Sequence, residues 1–382
     1  MIWFDAFSCP SFSVSIKPAS FLRRPLSPNM PNSIITATGS YIPSLKIPNE
    51  YFLPYDFYGA DGKKLDKPNP DLIKKLEEIT CIQERRYVTD DLVTSDIAFI
   101  AAEKALEGID RETLDYIIVG HNMGDMKADN ARCDMVPTIA ARVKHKLRIK
   151  NPYCVAYDVP FGCPGWLHAM IIADYYIKSG DAKKILVIGA ETLSRVSDPH
   201  DIDSMIYSDG AGATLVEATD KAAGIISHVT RSDTLHDVNL LTLGQSYHLN
   251  SNGNQLYLKM QGHQIFKYAV KTVPEVVMRS LEKAGLTLSD VNKVLIHQAN
   301  QKMDEAILKR LFKLNNMKKI PEHIMPMTIS WLGNSSVATL PTLFDLLQRG
   351  MLNKHRLHSG DIAVFASVGA GMNVNSMVYR MP

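Results

Sequence analysis

The chain repeats one pattern of helix, glycine, linker and apolar strand. Leu106-Glu107-Gly108-Ile109 followed by Tyr116-Ile117-Ile118-Val119-Gly120 recurs as Lys283-Ala284-Gly285-Leu286 followed by Lys293-Val294-Leu295-Ile296-His297, a gapless offset of 177 residues from Gly108 to Gly285. Further on, Gly162-Cys163 and a helix ending at Gly180 are matched by Gly333-Asn334 and a helix ending at Gly350, with 171 residues between Cys163 and Asn334. Two copies are too few for a solenoid. Strands alternating with helices predict parallel sheets covered by helices, so the expected class is α/β with two similar halves about a pseudo-twofold axis. The halves are assigned to residues 30–220 and 221–382.

Residues 1–29 differ from the rest, being rich in Ser, Pro and aromatics, with Asp5 the one acid. They lack a basic start followed by a single apolar core, which argues against a secretory signal. Their composition fits a transit peptide, but the preferred reading is a non-native or disordered extension, with Met30 as the initiator. The remainder is ordinary globular sequence. Across 382 residues the formal net charge is +2, which gives no support for bulk nucleic-acid binding, and no apolar run reaches membrane-spanning length. Five cysteines show neither metal-ligand spacing nor a disulfide framework, which points to a reducing cytoplasm and to no metal.

Val155, Tyr157 and Val159 alternate as strand residues do, and an apolar helix follows until Gly180. Pro164 suits a first helical turn. Cys163 therefore lies at a helix N-terminus, where unsatisfied N–H groups favour the thiolate. A buried structural thiol is the commoner fate of a lone cysteine. The repeat shifts the balance, because Cys163 and Asn334 occupy equivalent turns and His297 ends a strand. All three lie at carboxyl ends of strands, where open α/β sheets put their sites.

Four motifs in order carry a resemblance. They are Asp158 to Trp166; Ile188-Gly189-Ala190-Glu191-Thr192-Leu193-Ser194-Arg195 with Ser208-Asp209-Gly210-Ala211-Gly212-Ala213; His297-Gln298-Ala299-Asn300; and Gly333-Asn334-Ser335-Ser336 with Val368-Gly369-Ala370-Gly371. The chain resembles the thiolase superfamily, specifically β-ketoacyl-acyl carrier protein synthase III, over about residues 33–380. The resemblance implies duplicated βαβαβαββ halves in an αβαβα arrangement and a homodimer. It implies that Cys163 takes an acyl group from a thioester and that the N–H groups of Cys163 and Ala370 hold the oxyanion. His297, as neutral imidazole donating Nε2–H, and Asn334 would stabilise the enolate from a malonyl- or β-ketoacyl-type thioester. No cofactor is implied. The partners are acyl carrier protein or coenzyme A thioesters, and the basic run Lys144, His145, Lys146, Arg148 and Lys150 is a candidate docking patch for an acidic carrier.

Departures from the family bear on the substrate. Lys75 and Ile79 stand where the initiating enzymes carry the Trp and Arg that clamp adenine, and Lys302 replaces an Arg at the entrance, losing bidentate phosphate contact. Val136 falls where those enzymes place a phenylalanine from the partner subunit at the end of the acyl pocket, which implies longer acyl chains. Pro164 and Trp166 are expected to narrow the cavity near the nucleophile, Met205 to line it and the stretch 122–134 to shape its entrance. Met135, Met170 and Met260 are read as core or pocket filler, and His121 and His168 as structural. Asp209-Gly210-Ala211-Gly212 is read as tight turns rather than a phosphate loop. Alternatives within the resemblance are dialkylresorcinol-type condensation and cyclisation, and acyl transfer to oxygen or nitrogen. A non-catalytic carrier-binding partner is the rival from another class. A degradative thiolase is disfavoured because the terminal glycine-rich loop lacks a second cysteine.

Overall fold

The computed structural model describes residues 30–248 and 254–382, so the reading of residues 1–29 lies outside the described residues. The longest apolar runs form two sheets. In the five-stranded sheet the order is Asn32–Tyr41, Asp209–Thr219, Lys184–Thr192, Tyr116–His121, Val155–Pro160. The last three are mutually parallel, and the first two pair antiparallel. The four-stranded sheet runs Gly224–Ser232, Asn373–Arg380, Ile362–Gly369, Val291–Ile296, with the same pattern of directions.

Among the described residues the second sheet has no counterpart of Val155–Pro160. In its place Ile324 O accepts a single backbone bond from Val294 N at 2.9 Å. Pro321 and Pro326 flank that position, and proline cannot donate to a ladder.

Between the sheets lie the helices Gly165–Ser179 and Thr339–Gln348, buried on almost every side. Their core joins Ile118, Ile185 and Val187 of one sheet to Leu295, Phe365 and Met377 of the other. Helices Thr94–Ala105 and Ile139–Lys146 cover the outer face of the first sheet, and Gly262–Ala284 and Gln301–Leu314 that of the second. The arrangement is the expected helix, sheet, helix, sheet, helix stack. Glycine makes the inner contacts possible. A Cβ at Gly120 would lie 2.7 Å from the Trp166 nitrogen, and one at Gly189 would lie 2.4 Å from the Val337 carbonyl.

Among the described residues no helix is long and apolar enough to cross a membrane. The segment from Asp209 to Ala213 is strand rather than the expected turns. Its glycines serve close packing, since a Cβ at Gly212 would lie 2.6 Å from that of Pro341.

Candidate active site

The two halves meet around one cavity of about 740 Å³, lined by Cys163, His297, Asn334 and Ala370. Cys163 follows its strand through Gly162, whose φ of +65° favours glycine. The terminal hairpin closes over this turn. A Cβ at Gly369 would lie 2.6 Å from the Cys163 nitrogen, and one at Gly162 would lie 2.9 Å from that of Ala370. Neither the Cys163 nor the Ala370 N–H donates to another described residue.

The thiol is not the acidic group expected of a helix N-terminus. Burial pushes Cys163 up to about 11, against a hydrogen bond from Ser336 Oγ that lowers it. Ser336 Oγ lies 3.2 Å from Sγ and accepts from Asn122 Nδ2 at 2.9 Å. The same amide donates to Glu191 Oε2 at 2.5 Å, and burial raises Glu191 to about 7. A hydrogen-bonded chain thus leads from Glu191 to the thiol.

His297 ends the Val291–Ile296 strand and is 2% exposed. Burial pushes it down to about 4, so the ring is neutral. Its Nδ1 lies 2.7 Å from Thr339 Oγ1, which also lies 3.0 Å from Ser336 O. Asn334 is fixed by its backbone, donating to Ile206 O and accepting from Ser208 N, each at 2.9 Å. Its Oδ1 accepts from Ser336 N at 2.8 Å, which leaves Nδ2 for the cavity.

Four pocket assignments from sequence fare differently. Trp166 is a correction. It is 1% exposed, lies in the central core with its ring 5.9 Å from that of Phe365, donates to Thr214 Oγ1 at 3.2 Å and does not line the cavity. Met205 is another, packed with Phe52, Phe57 and Ile73, because the 3-10 turn Ile202–Ile206 points Ile206 and Asp203 to the cavity instead. Val136 is 86% exposed and lies outside its own chain's cavity. Lys302 is exposed beside the lining residues Asn300 and Met303.

The cavity wall also includes Leu76, Ile79, Leu243, Leu258 and Phe266, and of the stretch 122–134 it takes Asn122 and Met123. The expected docking run is partly committed to the fold. Lys144 Nζ donates to the carbonyls of Asn151 and Cys154 at 2.8 and 2.6 Å, and Lys146 pairs with Asp96. His121 donates to Asp158 from Nε2 while its Nδ1 accepts from Gly124 N, and His168 stacks on Phe161. Sequence reasoning assigned no role to Ser336, Thr339, Glu191, Asp203 or Tyr207, and gave Asn122 only a place at the entrance. Ser336 and Glu191 stood within quoted motifs, which was the available signal.

A thiol, a neutral imidazole and a carboxamide around an apolar cavity between two duplicated sheets define a thiolase-fold condensing enzyme. The description 3-oxoacyl-[acyl-carrier-protein] synthase III matches residues 157–234, and its C-terminal counterpart matches residues 281–381. A β-ketoacyl-[acyl-carrier-protein] synthase III of Xanthomonas campestris pv. campestris is 32% identical, covering 91% of this chain and 98% of that protein. One of Ehrlichia canis is 32% identical over 92% and 100%. The crystal structure of a synthase III from Thermus thermophilus superposes with a TM-score of 0.74 at 28% identity, covering 91% of this chain and 99% of that one. The chain belongs to the 3-oxoacyl-[acyl-carrier-protein] synthase III family.

Proposed function

We propose that the protein joins an acyl group to a malonyl-type thioester by decarboxylative Claisen condensation, with the acyl group first carried on Cys163. The observation that carries this reading is the convergence of Cys163, His297, Asn334 and the Ala370 backbone on one apolar cavity. Sγ attacks the donor carbonyl, the N–H groups of Cys163 and Ala370 hold the oxyanion, and the pantetheine thiol leaves with the proton from Cys163. The malonyl-type thioester then loses carbon dioxide. The electron pair of the broken C–C bond becomes an enolate, whose oxygen accepts from His297 Nε2–H and Asn334 Nδ2–H. The enolate carbon attacks the acyl-cysteine, and Sγ departs.

The carrier partner is an acyl carrier protein. Lys302, Lys309, Arg310 and Lys313 form an exposed basic face on the Gln301–Leu314 helix, whose first turn borders the cavity. That face complements an acidic carrier better than residues 144–150 do. The assembly is a homodimer formed along the free edge of the Val155–Pro160 strand, with exposed Val136, Tyr153 and Val155 nearby. The reduced cysteines suit a cytoplasmic enzyme.

Intact-mass spectrometry after incubation with acyl thioesters on coenzyme A and on carrier protein tests the covalent step. An adduct lost in Cys163→Ala, and discharged as a β-ketoacyl product on adding the malonyl donor, is expected. Without any adduct, a non-catalytic carrier-binding role would replace this reading.

A further inference from the structure

The cavity wall carries a polar pair that the condensation does not use. Tyr207 directly follows the Ile202–Ile206 turn, and its backbone is bracketed by the two bonds between Asn334 and residues Ile206 and Ser208. It therefore stands beside the amide assigned to the enolate. Its ring packs with Ile82, Leu193 and Ile329, it is 4% exposed, and it lines the cavity. Its hydroxyl has no hydrogen-bond partner among the described residues. Burial and the nearby carboxylates hold it well above its ordinary value, so it remains an O–H donor.

Asp203, one turn earlier, lines the same cavity, and no described residue donates to its carboxyl. Burial, with Asp201 adding to it, raises that carboxyl to about 6, so it is largely ionised at neutral pH and is an acceptor. A saturated acyl chain would leave both groups unsatisfied, and an unmade hydrogen bond in a buried site is what discriminates most strongly between ligands. A hydroxyl carries both functions, an acceptor for Tyr207 and a donor for Asp203. A ketone satisfies Tyr207 alone.

We propose that Tyr207 and Asp203 form a subsite selecting acyl thioesters that bear a hydroxyl close to the reacting carbonyl. The proposal rests on Cys163 as the acyl acceptor.

The test is the initial rate of the Cys163 mass shift with octanoyl, 3-hydroxyoctanoyl and 3-oxooctanoyl donors, each on coenzyme A and on carrier protein. The 3-hydroxy donor should acylate about tenfold faster than octanoyl, the equivalent of one hydrogen bond, with the 3-oxo donor between them. In Tyr207→Phe, and independently in Asp203→Ala, the ratio of 3-hydroxyoctanoyl to octanoyl should fall towards one, with melting curves confirming that each variant folds. Adducts formed equally fast from all three donors by the wild-type protein, or a ratio that both substitutions leave intact, would overturn the subsite while leaving the acyl-cysteine reading in place. If no donor marks Cys163, the acyl-cysteine reading fails and the subsite with it.

Discussion

Thr339 Oγ1 stands 2.7 Å from His297 Nδ1 and 3.0 Å from Ser336 O, so one hydroxyl hydrogen faces two acceptors. Pointed at Nδ1, it leaves the imidazole hydrogen on Nε2, the tautomer that holds an enolate. Pointed at the carbonyl, it draws the hydrogen to Nδ1 and leaves Nε2 an acceptor. Thr339 is thus a positioning residue. Thr339→Val should lower the decarboxylation rate by about 10- to 100-fold, the range for partners that orient metal-bound histidines, while acyl-cysteine still forms; Thr339→Ser should restore it. Equal loss in both steps would point to a merely structural effect.

The thiol's environment predicts its titration. Burial raises Cys163, Glu191 adds to the rise, and Ser336 opposes it. Alkylation by iodoacetamide should therefore follow a pH profile centred far above that of free cysteine. Glu191→Gln should move the profile to lower pH and Ser336→Ala to higher pH. Coincident profiles for all three proteins would refute this electrostatic account.

His297 links stability to pH. Its folded value of about 4 lies below the ordinary 6.5, so between these the unfolded chain binds the extra proton. Stability is intact above pH 6.5 and falls as the pH drops through this window, by about 3 kcal/mol at pH 4. Urea unfolding at pH 7 and pH 4.5 should show a smaller acid loss in His297→Gln than in the wild-type protein. The same loss in both would mean that other groups govern the acid limb.

Val136 is 86% exposed in the single chain, which suits a side chain that reaches a partner's cavity. Val136→Phe should shift acyl preference to shorter chains without lowering the melting temperature. A variant retaining the wild-type chain-length profile would remove Val136 from the pocket.

Reversing the basic helix face tests carrier docking. Lys309→Glu with Arg310→Glu should raise KM for carrier-bound donors by about tenfold at low salt and leave coenzyme A donors unaffected. An equal effect on both donor classes would place the docking surface elsewhere.

Much of this architecture was legible because duplication left a periodic record. The matched glycines at 108 and 285 announced paired sheets, and the matched turns put Cys163 and Asn334 at corresponding ends of strands. The surrounding shell was not legible, because it depends on local backbone twists that sequence periodicity does not encode. Ser336 reaches the thiol from a left-handed conformation, φ +51°, at the start of the turn Ser336–Ala338. Likewise, a 3-10 turn decides that Tyr207 rather than Met205 faces the cavity. The acidity expected of Cys163 followed from its helix alone and missed the cost of enclosure, which dominates.

The missing strand of the second sheet bears on how far assembly can grow. The Asn32–Tyr41 and Gly224–Ser232 edges lie against each other, with a Cβ at Gly224 only 2.1 Å from Ser33 O. The Val291–Ile296 edge is blocked by the proline-flanked Ile324 segment. Of the four edges of the two large sheets, Val155–Pro160 alone is left uncovered by the described residues and able to add a strand. A molecule with two such edges could string into open-ended fibres; with one, the proposed pairing about a twofold axis would consume the free ladder in both copies, and growth would stop at two.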